Sequence, residues 1–147
     1  MRTLSRLALV GVLGALCAPA FALDYRAAAN PAVLYDTPSA SGRKLFIVSA
    51  DTPLEVVVTL EKWIKVRDRD GKLAWIARAD LADYQTVMVA GDSAAIHAQA
   101  ADDAPAVFTA NRGVVLRVTG PVSGNWLPVR HADGESGFVR RVDVWGY

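Results

Sequence analysis

Beyond residue 22, apolar and polar positions alternate in short runs, and the alternation predicts strands. In Trp63-Ile64-Lys65-Val66-Arg67, Ile64 and Val66 fall on one side and Trp63, Lys65 and Arg67 on the other, as in a strand with one buried face. Trp126-Leu127-Pro128-Val129-Arg130 repeats the arrangement. Ahead of each lies a run rich in β-branched residues, Pro53 to Leu60 and Val114 to Thr119. After each comes an Asp-Gly pair, Asp70-Gly71 and Asp133-Gly134. That pair signals a hairpin, and the two-residue type I′ form expected here needs positive φ at both central residues. The hairpins return through Trp75-Ile76 and Phe138-Val139, after which Arg78 to Leu81 and Arg141 to Val144 read as single helical turns. Sustained helical periodicity is missing beyond residue 22, so the expected fold class is all-β.

The recurrence is an internal repeat, and it sets the architecture. Residues 63–84 lie over 126–147 without a gap. Trp63/Trp126, Val66/Val129, Arg67/Arg130, Asp70/Asp133, Gly71/Gly134, Arg78/Arg141, Asp80/Asp143 and Tyr84/Tyr147 are identical. Upstream, Leu54-Glu55-Val56 matches Leu116-Arg117-Val118 after a one-residue shift, and Ala32-Val33 is matched to Ala95-Ile96. The expected domains are 23–84 and 85–147. Domains of about 60 residues bury limited apolar area and are marginal alone. No Gly/Ser/Pro linker separates Tyr84 from Gln85, so a shared interface is expected. The recurrence of Arg78/Asp80 as Arg141/Asp143 suggests a loop-ordering ion pair or cap in each copy.

The first 22 residues read as an export signal: Arg2 and Arg6, the apolar run Leu7 to Ala18, then Ala20-Phe21-Ala22, with cleavage after Ala22. A membrane anchor is the first competing reading, but it needs about 20 apolar residues and Pro19 interrupts this run. A lipidated Cys17 is the second, but Leu16 stands where that processing wants a small side chain. The expected location is periplasmic or secreted, with no membrane insertion after cleavage.

The whole chain carries 16 Lys+Arg against 15 Asp+Glu. Loss of Arg2 and Arg6 leaves 14 basic residues against 15 acidic ones, which gives no footprint for nucleic acid. The sole cysteine, Cys17, departs with the signal, so the exported chain has neither disulfides nor cysteine chemistry. His97 and His131 occupy unmatched positions of the repeat and lack zinc-site spacing. Gly134-Glu135-Ser136-Gly137-Phe138 ends in Phe within a hairpin, where a nucleophile elbow needs a closing glycine and a strand–turn–helix. No aspartate loop has calcium-site spacing. These readings lead to a non-enzyme with no cofactor and no metal.

The strand Leu54-Glu55-Val56 is followed by Trp63-Ile64-Lys65-Val66-Arg67-Asp68-Arg69-Asp70-Gly71-Lys72-Leu73-Ala74-Trp75-Ile76, and the second copy runs from Trp126 to Val139. This pattern resembles the bacterial SH3 domain, often called SH3b, over essentially the whole chain after Ala22. It departs from the family pattern at Ala74, where glycine is usual and Gly137 keeps it, and at Phe138, where Trp is usual. The opening segments Tyr25-Arg26-Ala27 and Val33-Leu34-Tyr35 match only loosely. The resemblance implies two tandem, small, partly open β-barrels. It also implies a non-catalytic module of exported proteins, many of which bind peptidoglycan.

Alternation places Trp63 with Arg67, and Trp126 with Arg130, opposite the aliphatic face. Such a face can serve as a recognition platform, with an aromatic plane for a sugar or peptide and a guanidinium for a carboxylate. Alternatively each Trp packs under a loop or against the other copy. Trp75 and Phe138 read as core, and Trp75 is retained beside the other four as a ligand contact. Trp145 and Tyr147 are expected to close the second barrel, since terminal strands must be anchored to stay ordered. The function expected is peptidoglycan recognition through peptide stems, with an envelope protein adaptor as the alternative.

Overall fold

Strands form wherever alternation gives the chain a face to cover. The computed structural model describes residues 23–147, and the expected export signal over 1–22 lies outside them. In the first copy β1 (Tyr25–Ala27), β2 (Ala32–Tyr35), β3 (Lys44–Val48), β4 (Pro53–Thr59), β5 (Trp63–Arg67) and β6 (Leu73–Ala77) make one antiparallel sheet, ordered β1-β4-β5-β6-β2-β3. The second copy has β7 (Thr86–Val89), β8 (Ser93–His97), β9 (Ala106–Asn111), β10 (Val115–Val118), β11 (Trp126–Arg130), β12 (Ser136–Arg140) and β13 (Val144–Trp145). Its order is β13-β7-β10-β11-β12-β8-β9. The fold is all-β in two tandem units, and neither sheet closes into a barrel. The expected helical turns are single 3-10 turns at Arg78–Asp80 and Arg141–Asp143. No helix among the described residues is long and apolar enough to cross a membrane.

The alternating positions supply the cores. Ile64 and Val66 join Leu34, Leu54 and Ile76 in the first, and Leu127 and Val129 join Ile96, Leu116 and Val139 in the second. The pairing also corrects the upstream match. Leu34 faces Phe46 and Ile96 faces Phe108, so Leu34 corresponds to Ile96 and Ala32 to Ala94. A one-residue slip would turn the buried Leu34 and Ile96 to solvent, and burial therefore fixes the register. In β4 a bulge at Val57 breaks the ladder between Val56 and Val58, and both Val57 and Val58 are exposed.

The hairpin turns differ from the expected type I′ form. Only Gly71 (φ 86°) and Gly134 (φ 101°) have positive φ there; Asp70 and Asp133 do not. The Gly71 N–H donates to Asp68 O at 3.0 Å while the Asp68 N–H donates to Lys72 O at 3.0 Å. The second copy repeats this with Gly134 to His131 and His131 to Glu135. These are three-residue loops, a type I turn closed by a left-handed glycine. The Asp68 carboxylate accepts the Lys72 N–H at 2.8 Å, and Asp133 accepts the Glu135 N–H at 3.0 Å.

Arg78 and Asp80 do not pair, nor do Arg141 and Asp143, because residues two apart on a turn point in different directions. Arg78 donates to Leu60 O at 2.8 Å, Arg141 lies over the Tyr147 ring at 5.0 Å, and Asp143 pairs with Arg140 at 3.0 Å. What recurs is the main chain: Asp80 O accepts from Ala29 N–H at 2.8 Å, and Asp143 O from Ala90 N–H at 2.9 Å.

Loops of the first copy dock on the start and end of the second. Thr86 Oγ1 donates to Asp51 O at 2.7 Å and Arg69 to Ala90 O at 2.9 Å, while Tyr84, the last residue of the first copy, donates through Oη to Asp51 Oδ1 at 2.6 Å and so holds that loop at the junction. Trp145 meets Tyr25 edge-on at 5.3 Å, so it anchors the last strand against the first copy. Asp51 takes a left-handed φ of 62°, which an aspartate tolerates better than most residues, and thereby reaches across the junction.

Candidate functional site

The outer face of the first sheet gathers three of the five expected contacts. Trp63, Lys65 and Arg67 alternate with the buried Ile64 and Val66, and in the register Lys65 faces Trp75 while Tyr35 faces Trp75 from the other side. Tyr35 meets Trp63 edge-on at 5.5 Å, and Lys65 Nζ lies 5.8 Å from the centre of the Trp75 ring. Tyr35, Trp63 and Trp75 thus form a contiguous, half-buried aromatic surface with an ammonium beside it. Trp75 is not a core residue as its sequence context suggested. Its neighbour Ile76 takes the inward position, and Phe138 beside Val139 likewise lies half-buried on the outer side.

Arg67 belongs to this face but is already committed. Its Nη1 donates to both carboxylate oxygens of Glu55, at 3.0 and 3.2 Å, with Glu55 buried on the facing strand β4. The buried Tyr25 phenol, opposite Glu55, has its pKa raised by burial and then by that carboxylate.

The second copy is built differently. Trp126 is only 8% exposed. His97 stands where the first copy has Tyr35 and covers Trp126 edge-on at 5.0 Å, and the loop 119–125 folds back through paired Ser123–Trp126 backbone bonds. His97 is held in turn by its Nδ1, 2.8 Å from Ala104 O. Arg130 is exposed, and its Nε donates to Ser136 Oγ at 3.1 Å. Arg130 faces Arg117 across β10 and β11, at the place where Glu55 faces Arg67 in the first copy.

Sequence reading singled out Arg130 but passed over Arg117, Asp51 and Tyr84, which surround it. The signal was present in the repeat as Glu55-to-Arg117 beside an unchanged Arg, but its meaning depends on knowing which residues face each other. Between the copies lies a groove of about 410 Å³, lined among others by Asp51, Thr86, Arg117, Thr119, Arg130 and His131. Arg117 stacks over the Tyr84 ring at 3.7 Å and lies 3.7 Å from Asp51 Oδ1. The hydrogen bond to Asp51 raises the Tyr84 pKa, with burial adding to it. His131 Nδ1 lies 2.9 Å from Asp133 Oδ2. The Glu135 N–H and then His131 hold the Asp133 carboxyl below its ordinary value. Among the described residues, no three His, Cys, Asp or Glu side chains converge as a metal site.

Residues 28–83 and 90–146 each match the family profile described as "Bacterial SH3 domain". No curated protein matches. Among solved structures, NlpC2 from Trichomonas vaginalis is similar at 10% identity and a TM-score of 0.40, over 86% of this chain and 49% of that one. NlpC1 from the same organism matches at 10% identity and a TM-score of 0.39, over 92% and 50%. The chain thus spans about half the length of these structures.

Proposed function

The chain belongs to the bacterial SH3 domain family, and from that premise we propose that it is an exported, non-catalytic binding module, with copies over 23–84 and 85–147, that recognises peptidoglycan through its peptide stems. The observation that carries this reading is the aromatic surface of the first copy, Tyr35, Trp63 and Trp75 beside Lys65. Flat aromatic rings bury sugar or peptide faces at little cost in side-chain entropy. Both histidines and the buried Glu55 are engaged structurally: His97 on Trp126 and Ala104, His131 on Asp133, and Glu55 on Arg67. The two copies contribute unlike surfaces to one ligand, an aromatic face from the first and a guanidinium from the second.

The test is co-sedimentation of residues 23–147, which hold every strand of both sheets, with purified sacculi. Saturable pelleting, weakened severalfold by Trp63→Ala or Trp75→Ala, is expected. The Trp126 side chain is covered, so Trp126→Ala reports on folding and is a poor probe of contact.

A second reading, an envelope protein adaptor, is favoured by a different observation. Strand β3 is an edge of the first sheet, and Ile47 upon it is 70% exposed. An unpaired edge with exposed apolar side chains is suited to adding a partner strand. Under this reading the folded protein stays in the supernatant with sacculi, and Ile47→Lys abolishes crosslinking to an envelope protein.

A further inference from the structure

We infer that the groove between the two copies is a carboxylate-binding site, in which Arg117 and Arg130 together hold the free carboxylate of a peptide. The inference rests on the binding-module reading for identifying that peptide as a wall stem, but not for the carboxylate chemistry itself.

One charge is exchanged between the copies. Glu55 and Arg117 occupy the same position of the repeat, each following a fully buried leucine, Leu54 or Leu116. Each lies opposite the retained arginine, Glu55 facing Arg67 and Arg117 facing Arg130. In the first copy the arginine finds its carboxylate within the chain, at 3.0 and 3.2 Å. In the second copy two guanidinium-bearing side chains stand opposite each other on an outer face, a pairing that costs stability, and Asp51 offsets only the charge of Arg117.

The surroundings leave that role open. Arg117 is placed by the Tyr84 ring at 3.7 Å and pairs with Asp51 Oδ1 at 3.7 Å, a separation too long for a hydrogen bond, so its guanidinium keeps N–H donors for a second carboxylate. Arg130 is oriented by Nε to Ser136 Oγ, and among the described residues no carboxylate lies within 4 Å of its guanidinium. The charge His131 would carry is matched by Asp133. Both arginines line the groove of about 410 Å³, large enough for the end of a peptide. A planar carboxylate seated there would supply from a ligand what Glu55 supplies within the first copy, accepting charge-assisted hydrogen bonds from a guanidinium.

The test is a ¹⁵N NMR titration of residues 23–147 with N-acetyl-alanyl-alanine as the free acid and as its C-terminal amide. The free acid is expected to shift the Arg117 and Arg130 resonances saturably, while the amide at the same concentration leaves them in place. Arg130→Glu sets a carboxylate opposite Arg117 as Glu55 is set opposite Arg67, so it should keep the fold and weaken peptide binding at least tenfold. Arg130→Gln serves if that variant does not fold. Equal responses to acid and amide, no response to either, or unaltered binding by the variants would overturn the site. Tighter binding of inorganic phosphate than of the peptide acid would overturn the assignment to carboxylate. Sacculus binding without a response to the free acid removes the groove and leaves the wall reading; a response without sacculus binding does the reverse.

Discussion

Gly137 and Ala74 occupy one position of the repeat in adjoining chemical settings, and their exchange measures how closely strands approach in each copy. A Cβ built on Gly137 would lie 2.5 Å from Ile96 Cγ2 and 2.6 Å from the His97 carbonyl oxygen, so backbone would have to shift. Gly137→Ala should therefore cost about 1–3 kcal/mol, as overpacking does, and lower the urea midpoint at unchanged slope. An unchanged midpoint would show that β8 and β12 can separate freely. Ala74→Gly removes a buried methyl group as well as freeing the unfolded chain, and should cost about 1–2 kcal/mol. At the same scale the exchange of Glu55 for Arg117 separates the two copies chemically. The first pairs its arginine from within, and the second sets Arg130 beside Arg117, which Asp51 of the first copy approaches at 3.7 Å.

At the scale of elements, the hairpins depend on one residue each. Gly71 and Gly134 are left-handed, and a Cβ on either would meet nothing within 4 Å, so substitution is opposed by backbone conformation alone. Gly71→Ala and Gly134→Ala should each destabilise by about 1–2 kcal/mol, read from urea unfolding. Neutral effects would mean that the turns relax to another form. These turns also show what the sequence carried and what it did not. Asp-Gly announced both hairpins correctly, but the turn type depends on where the strands stop pairing, and the last backbone bonds join Asp68 to Lys72 and His131 to Glu135, leaving three residues between them. The inner face was legible in the alternation of Ile64 and Val66, because a period of two puts both on one side of a strand. The fate of Trp126 was not legible, because its cover is His97, whose correspondence to Tyr35 emerges only when burial corrects the register of β2 and β8. Trp63 and Trp126 thus occupy matched positions of the repeat and differ in exposure.

At the scale of the whole molecule, the two open sheets are joined through the Asp51 loop, which engages Thr86 and Arg117 of the second copy and is held by Tyr84 at the end of the first. Tyr84→Phe removes one hydrogen bond to a carboxylate and should loosen the junction by about 1–2 kcal/mol, visible as lower protection of the Thr86 amide from hydrogen exchange. The hydrogen bond raises the Tyr84 pKa above its ordinary 10.0, so its stabilisation is complete below pH 10 and is lost as pH rises through the raised value. Ionised, the phenolate would stand against the Asp51 carboxylate; Tyr84→Phe lacks the contribution at every pH, and the two proteins should converge in alkali. A constant difference from neutral to strongly alkaline pH would contradict this role. The junction also brings an aromatic face and a cationic groove onto one molecule, and two weak contacts with one polymer reinforce each other. The most direct measurement is the binding isotherm of residues 23–147 on purified sacculi, for the wild type, Trp75→Ala, Arg130→Glu and the double variant, each shown to be folded. Saturable binding weakened severalfold by each substitution, and further by both, is the predicted result. A folded wild type that remains in the supernatant at moderate salt, or variants that pellet as it does, would contradict the account.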